Sequence, residues 1–132
     1  MNTRTASCSC GQLTLTTSAE PVRVSICHCL ACQRRTGSVF GAQARFPRTS
    51  VTISGESSQY VRVGDKGSKI TFNFCRRCGS TVHYSVKGYD EENIAVPVRA
   101  FADPDFTTPR FSVYEERMHS WVGLPAGIEH KA

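Results

Sequence analysis

The residues of this 132-residue chain able to do distinctive chemistry are its seven cysteines, which fall in three tight groups. These are Cys8-Ser9-Cys10-Gly11, Cys27-His28-Cys29-Leu30-Ala31-Cys32 and Cys75-Arg76-Arg77-Cys78-Gly79. Cysteines one residue apart do not close an unstrained disulfide, and an odd total leaves a thiol over. Spacings of one or two residues are instead what a tetrahedral metal asks of a single short loop. Two groups offer pairs and one a triplet, which divides into four ligands for a closed site and three for an open one.

Side chains alternate faces along an extended segment, so Cys8 and Cys10 are expected to point one way. The Cys75-x-x-Cys78 pair calls for a tight turn whose backbone N–H groups donate to the sulfurs. Gly11 and Gly79 follow these pairs, where a residue of positive φ closes a metal-binding turn. Cys8, Cys10, Cys75 and Cys78 are therefore expected to hold a structural zinc; reduced, buried thiols without metal are the alternative. In the triplet, Cys27 and Cys29 share a face with His28 turned away. Cys32 reaches the same point if the chain coils directly after Cys29. Three cysteines leave one coordination position open, which distinguishes catalytic from structural zinc. A site completed by His83 or His119, or one without metal, remains open at this stage.

Three thiolates on Zn²⁺ carry a net charge of −1, a poor Lewis acid for making hydroxide but a place to bind a fourth soft ligand. A thiol bound there loses its proton and becomes a fixed nucleophile. The charge near −2 that results asks for a cation, and Arg34 and Arg35 directly follow the triplet as candidate substrate contacts. A solvated surface pair is the alternative for them. Deaminase and metalloprotease signatures are missing: no His/Cys-x-Glu motif precedes a Pro-Cys-x-x-Cys, and there is no His-Glu-x-x-His. The four histidines are read as surface or packing residues.

The remaining composition bounds the setting. The length suits one domain, 1–132. Hydrophobic residues are 39% of the chain, a modest core that metal cross-links would support. The residues from Met1 to Ser9 lack the apolar run of a signal peptide, and no stretch approaches a membrane helix. A reducing cytoplasm is expected, where clustered thiols act as ligands or catalysts. The formal charge is +5; seven thiolates subtract seven and two Zn²⁺ add four, leaving about +2. With arginines scattered, nucleic acid is a disfavoured partner, and no membrane partner is expected.

The elements that must position the cysteines read mainly as β-structure. Alternating or β-branched runs predict strands at Gln12–Thr16, Val22–Ile26, Val51–Ile53, Tyr60–Val63, Ile70–Phe74, Val82–Val86, Ile94–Val98 and Phe111–Tyr114. Turn signals such as Gly64-Asp65-Lys66-Gly67 and Gly88-Tyr89-Asp90 separate them. A short helical turn is predicted at Ala31–Thr36.

The three groups in this order, with Cys32-Gln33-Arg34-Arg35-Thr36-Gly37-Ser38, Phe74-Cys75-Arg76-Arg77-Cys78-Gly79-Ser80 and Trp121, resemble the glutathione-dependent formaldehyde-activating (Gfa-like, centromere-protein-V-like) family. The resemblance runs from Cys8 to about Trp121, the expected core of the domain. It implies an Mss4-like fold: mainly β, twisted antiparallel sheets with very little helix, cross-linked by zinc. It also implies two zinc ions per chain, a structural one at Cys8, Cys10, Cys75 and Cys78 and a more labile catalytic one at Cys27, Cys29 and Cys32. The implied partners are glutathione and an aldehyde, and the implied activity is a carbon–sulfur lyase that forms or cleaves S-(hydroxymethyl)glutathione. One departure is Arg110-Phe111, where many members have a His before the hydrophobic residue. A non-catalytic zinc-stabilised binding module is the competing reading, favoured by Arg76-Arg77 within the zinc turn. A zinc store or redox-responsive thiol protein is a third.

Overall fold

A computed structural model describes residues 3–131. Strands β1 (Arg4–Ser7), β2 (Thr14–Thr17) and β5 (Val51–Ser54) pair antiparallel in a small sheet, order β1-β2-β5. Eight strands make the large sheet. They are β3 (Arg23–Cys27), β4 (Gly41–Pro47), β6 (Ser58–Val63), β7 (Lys69–Phe74), β8 (Thr81–Lys87), β9 (Asp90–Pro97), β10 (Phe111–Val113) and β11 (Glu129–Lys131). Their order is β11-β10-β3-β4-β9-β8-β7-β6. One helix, α1 (Leu30–Thr36), leaves the end of β3, and three short 3-10 turns complete the regular structure. The fold class is the expected one, mainly β with twisted antiparallel sheets and very little helix. No helix among the described residues is long and apolar enough to cross a membrane.

Alternation along the strands gives the large sheet two different faces. Val24, Ala44, Phe46, Ile94 and Val96 point towards the small sheet and join Ala6, Leu13 and Leu15 in the main core, where Cys8 and Cys75 are also buried. Each large apolar side chain enclosed there contributes about 1.5–3 kcal/mol over leaving it in water. The opposite face carries Phe72, Tyr84, Val86 and Ala95 as a second cluster. Cys27 lies on this second face, because it pairs with Gly41 two residues beyond the Ser25–Gln43 pair.

Several strand bounds differ from the sequence expectation. β4 was not expected, since Gly-Ala-Gln-Ala-Arg-Phe-Pro has no β-branched residue. Pairing with β3 on one side and β9 on the other overrides that weak propensity. β1 and β11 are short polar strands held by backbone pairing, β11 parallel to β10 and β10 parallel to β3. Those two parallel joints depart from an all-antiparallel arrangement. β10 stops at Val113 because Tyr114 turns to φ +57°. Val98 opens a 3-10 turn instead of ending β9.

His83 on β8 is buried opposite Asn73, with no hydrogen-bond partner at Nε2. Burial pushes its imidazole down from the ordinary 6.5 to about 4. The unfolded chain takes up a proton below pH 6.5, whereas the folded chain resists until about pH 4. Stability therefore falls as pH drops through that window, by about 2 kcal/mol between pH 7 and pH 5. His83→Gln is expected to remove that increment from the acid dependence of urea unfolding. Equal acid sensitivity in the variant and the parent would show that His83 does not carry it.

Candidate metal centre

The first and third cysteine groups come together across the chain. The sulfurs of Cys8, Cys10, Cys75 and Cys78 all lie within 4.8 Å of one another. The Cys8–Cys10 and Cys10–Cys75 sulfur pairs are 3.7 and 3.6 Å apart. Tetrahedral zinc with Zn–S near 2.3 Å would set such separations at about 3.8 Å. The donor set and its spacing therefore fit zinc.

Two matched turns build this group. Cys8 N–H donates to the Leu13 carbonyl at 3.0 Å and Gly11 N–H to the Cys8 carbonyl at 3.2 Å. Cys8 and Cys10 thus converge from a turn and not from the extended segment expected. In the second turn, Cys75 N–H donates to Ser80 and Gly79 N–H to Cys75. Gly11 and Gly79 have φ of +87° and +80°, the left-handed conformation that glycine adopts without strain. Backbone donors aim at the sulfurs: Leu13 N–H at Cys8 Sγ and Arg77 N–H at Cys75 Sγ, each at 3.3 Å. The Ser80 backbone and then that of Cys10 bring the Cys78 thiol down to about 5. Such bonds favour thiolate, the form that binds metal.

Gln12 is a part of this centre that sequence reasoning missed. Its side-chain amide donates to Cys75 Sγ at 3.1 Å and to the Glu56 carbonyl at 2.7 Å, and its carbonyl accepts from Glu56 N–H at 3.0 Å. It joins the metal turn to the turn before β6, and its bond to Cys75 is the main cause that lowers that thiol. No local pattern announces this role, because it depends on β5 lying beside β2.

The triplet forms a second group, its three sulfurs also within 4.8 Å of one another. Cys27 ends β3, and Cys29 is the N-cap of α1, extended at φ −60°, ψ 152°. Its sulfur accepts from Cys32 N–H at 3.3 Å, so the coil that delivers Cys32 begins directly after Cys29. His28 points the other way, fully buried, with Nε2 3.0 Å from the Ser112 hydroxyl. Cys27 and Cys32 are buried and Cys29 is half-buried, so access is from the Cys29 side. Neither His83 nor His119 joins the three: His83 faces Asn73, and His119 Nε2 lies 3.1 Å from Gln33 Oε1. Three thiols so close share protons. Cys27, followed by Cys32, drives the Cys29 thiol down, with Arg62 adding to the effect, while Cys27 is driven up by bonding to Cys29 and Cys32. This soft, thiolate-prone donor set fits zinc as well.

The charged and aromatic surroundings of the triplet come from distant strands. Arg34 is exposed on α1, whereas Arg35 turns inward, its guanidinium 4.8 Å from the Phe72 ring and 5.2 Å from that of Tyr84. Arg62 on β6 lies 5.8 Å from the same Phe72 ring. Tyr114, just past β10, has its phenol raised by burial and then by the nearby Asp65 carboxylate, with smaller effects from Cys27 and Cys29. Arg62 and Tyr114 were not singled out from the sequence. Alternation places Tyr60 and Arg62 on one face of β6, but nothing local says that this face looks at the triplet. Arg110 is exposed and enters the sheet only through backbone bonds, its N–H to Val24 and its carbonyl from Glu129 N–H. Arg76, within the Cys75–Gly79 turn of the four-cysteine group, pairs with Glu56 at 3.0 Å on the surface.

A crystal structure of a Rhodobacter sphaeroides protein superposes with a TM-score of 0.58 at 21% identity, covering 76% of this chain and 91% of that one. The likeness is one of fold. An Aspergillus terreus protein named "Putative glutathione-dependent formaldehyde-activating enzyme" is 27% identical over 120 residues, covering 83% of this chain. The match spans only 61% of that relative's length. The family model described as glutathione-dependent formaldehyde-activating enzyme matches residues 3–117, from the start of β1 to the turn after β10. That match takes in all seven cysteines, and the chain belongs to the glutathione-dependent formaldehyde-activating enzyme family.

Proposed function

We propose that this protein is a zinc-dependent carbon–sulfur lyase that joins a thiol, glutathione being the family's implied one, to formaldehyde. The observation that carries the reading is the triplet: three sulfurs within 4.8 Å of one another, joined by no histidine nitrogen or carboxylate oxygen among the described residues. Cys8, Cys10, Cys75 and Cys78 then hold a structural zinc, and Cys27, Cys29 and Cys32 a catalytic one. A zinc ion held by the triplet would supply a position at which a substrate thiol gives up its proton and is presented as thiolate.

The chain's own residues do the rest. Cys27 and Cys32 fix the buried side of the site, and Cys29 turns its open side to solvent. Arg35 and Arg62 offset the negative charge that gathers as the thiolate arrives. In the addition, the thiol sulfur bonds to the carbonyl carbon and the carbonyl electron pair moves to oxygen. That oxygen takes one proton, and the thiol proton leaves to solvent, so no oxidant or reductant is needed. Tyr114, its phenol held protonated by burial and the Asp65 carboxylate and within electrostatic reach of Cys27 and Cys29, is the candidate donor to that oxygen. A reducing cytoplasm suits seven free thiols.

Two measurements test this reading. Metal analysis of fresh protein is expected to find two zinc ions per chain, one lost readily to a chelator, because three protein ligands hold metal less firmly than four. Exchange NMR on glutathione with formaldehyde is expected to show faster interconversion with the zinc-loaded protein. No acceleration with glutathione or with several other thiols would overturn the lyase assignment.

A further inference from the structure

Beside the triplet, three aromatic rings form a row across β6, β7 and β8. Tyr60 stacks on Phe72 with ring centroids 6.5 Å apart, and Phe72 meets Tyr84 at 5.0 Å. Two guanidiniums converge on the middle ring, Arg35 from α1 and Arg62 from β6. Aromatic faces hold such cations in place, and two like charges on one ring repel unless an anion joins them. Among the described residues no carboxylate does so: none of their ion pairs involves Arg35 or Arg62. Arg35 is also short of partners, its Nη1 being buried without a hydrogen bond. Its Nη2 lies 3.5 Å from the point where a Gly41 Cβ would stand, and Gly41 is the strand partner of Cys27. The unused donors therefore sit next to the triplet.

We propose that Arg35 and Arg62, gathered on the Phe72 ring, form the subsite that receives a carboxylate of the thiol substrate, so that the site selects anionic thiols over neutral ones. This rests on the reading of the triplet as the place where the thiol binds. Both side chains are half-buried, where a charge-assisted, two-pronged bond to a carboxylate is stronger than at an open surface. The two guanidiniums also offset the charge of the thiolates, but that effect treats every thiol alike. Carboxylate capture does not.

The test uses the full-length, zinc-containing protein and S-methylglutathione, which keeps both carboxylates of glutathione but has no thiol proton to lose. Calorimetric titration is expected to show binding that Arg62→Gln weakens about 10- to 100-fold. Arg35→Lys keeps the charge but not the planar fork and is expected to weaken binding as well. Arg34→Gln, on the exposed side of α1, is expected to leave it unchanged. In turnover, Arg62→Gln should raise KM for glutathione about 10- to 100-fold more than KM for 2-mercaptoethanol, whose smaller change reports only the lost offset of thiolate charge. Absence of S-methylglutathione binding to the parent protein would overturn the subsite. So would equal losses in Arg34→Gln and Arg62→Gln, or a KM shift of equal size for both thiols. If S-methylglutathione binds as described and no thiol is turned over, the subsite stands and the lyase reading falls. If glutathione is turned over and Arg62→Gln changes nothing, the reverse holds.

Discussion

Replacing Cys75 by serine is expected to leave little folded protein at 37 °C. Cys75 is wholly buried in the main core, and its sulfur stands 3.6 Å from Cys10, 65 residues away in the chain. A metal held there ties the first turn of the protein to its middle, a closure whose entropy a flexible chain must otherwise supply. Structural zinc sites contribute about 10–16 kcal/mol of apparent binding free energy in small peptides, against about 5–15 kcal/mol for the stability of a whole domain. The substitution also leaves Gln12 and Arg77 donating towards a smaller atom, and it places a hydroxyl in an apolar cluster. Circular dichroism with heating, and zinc counted by native mass spectrometry, would check this. A cooperative melt near that of the parent with one zinc fewer would show that the four-cysteine group is not what holds the fold.

The asymmetry between the two cysteine groups was legible because spacing constrains metal ligands more tightly than it constrains anything else in this chain. Pairs followed by glycine do close positive-φ turns, at Gly11 and Gly79, and the coil expected after Cys29 is α1. Strands rich in Val, Ile, Phe and Tyr were visible for the same reason, since packing on a pleated face selects those residues. β4 was hidden: its Ala-Gln-Ala-Arg run takes its place from partners on both sides, which no local window contains. The surroundings of the triplet were hidden too. Sequence adjacency suggested Arg34 and Arg35, with Arg34 foremost for a substrate carboxylate, yet a helix sends neighbours in different directions, and of the two it is Arg35 that turns onto Phe72. Arg62, 30 positions after Cys32, reaches the site only because the β6–β7 hairpin brings that face of β6 beside it. Ligand identity is thus local in this fold, while the groups that tune the ligands are supplied by strand order.

Cys29→Ser is expected to abolish turnover while leaving the fold intact, separating the two centres. Cys29 is the least buried of the triplet and the N-cap of α1, its sulfur accepting from Cys32 N–H. Serine is a favourable N-cap, so its hydroxyl can accept the same bond and the helix start is preserved. What serine lacks is a thiolate: a neutral hydroxyl is a poor ligand for a soft site, and only Cys27 and Cys32 remain to hold metal. Changes to groups that merely support a ligand cost about 10- to 100-fold in metal affinity or activity, so losing a ligand should cost at least about 100-fold. The melting curve should shift by no more than the equivalent of about 1 kcal/mol, because the four-cysteine group and the main core are untouched. Exchange NMR at matched protein concentration, alongside a zinc count expected to fall from two per chain to one, reads both sides of the claim. A variant that keeps its rate would place the chemistry elsewhere. One that loses fold and rate together would make the triplet a second structural centre, and the protein a zinc-stabilised binding module.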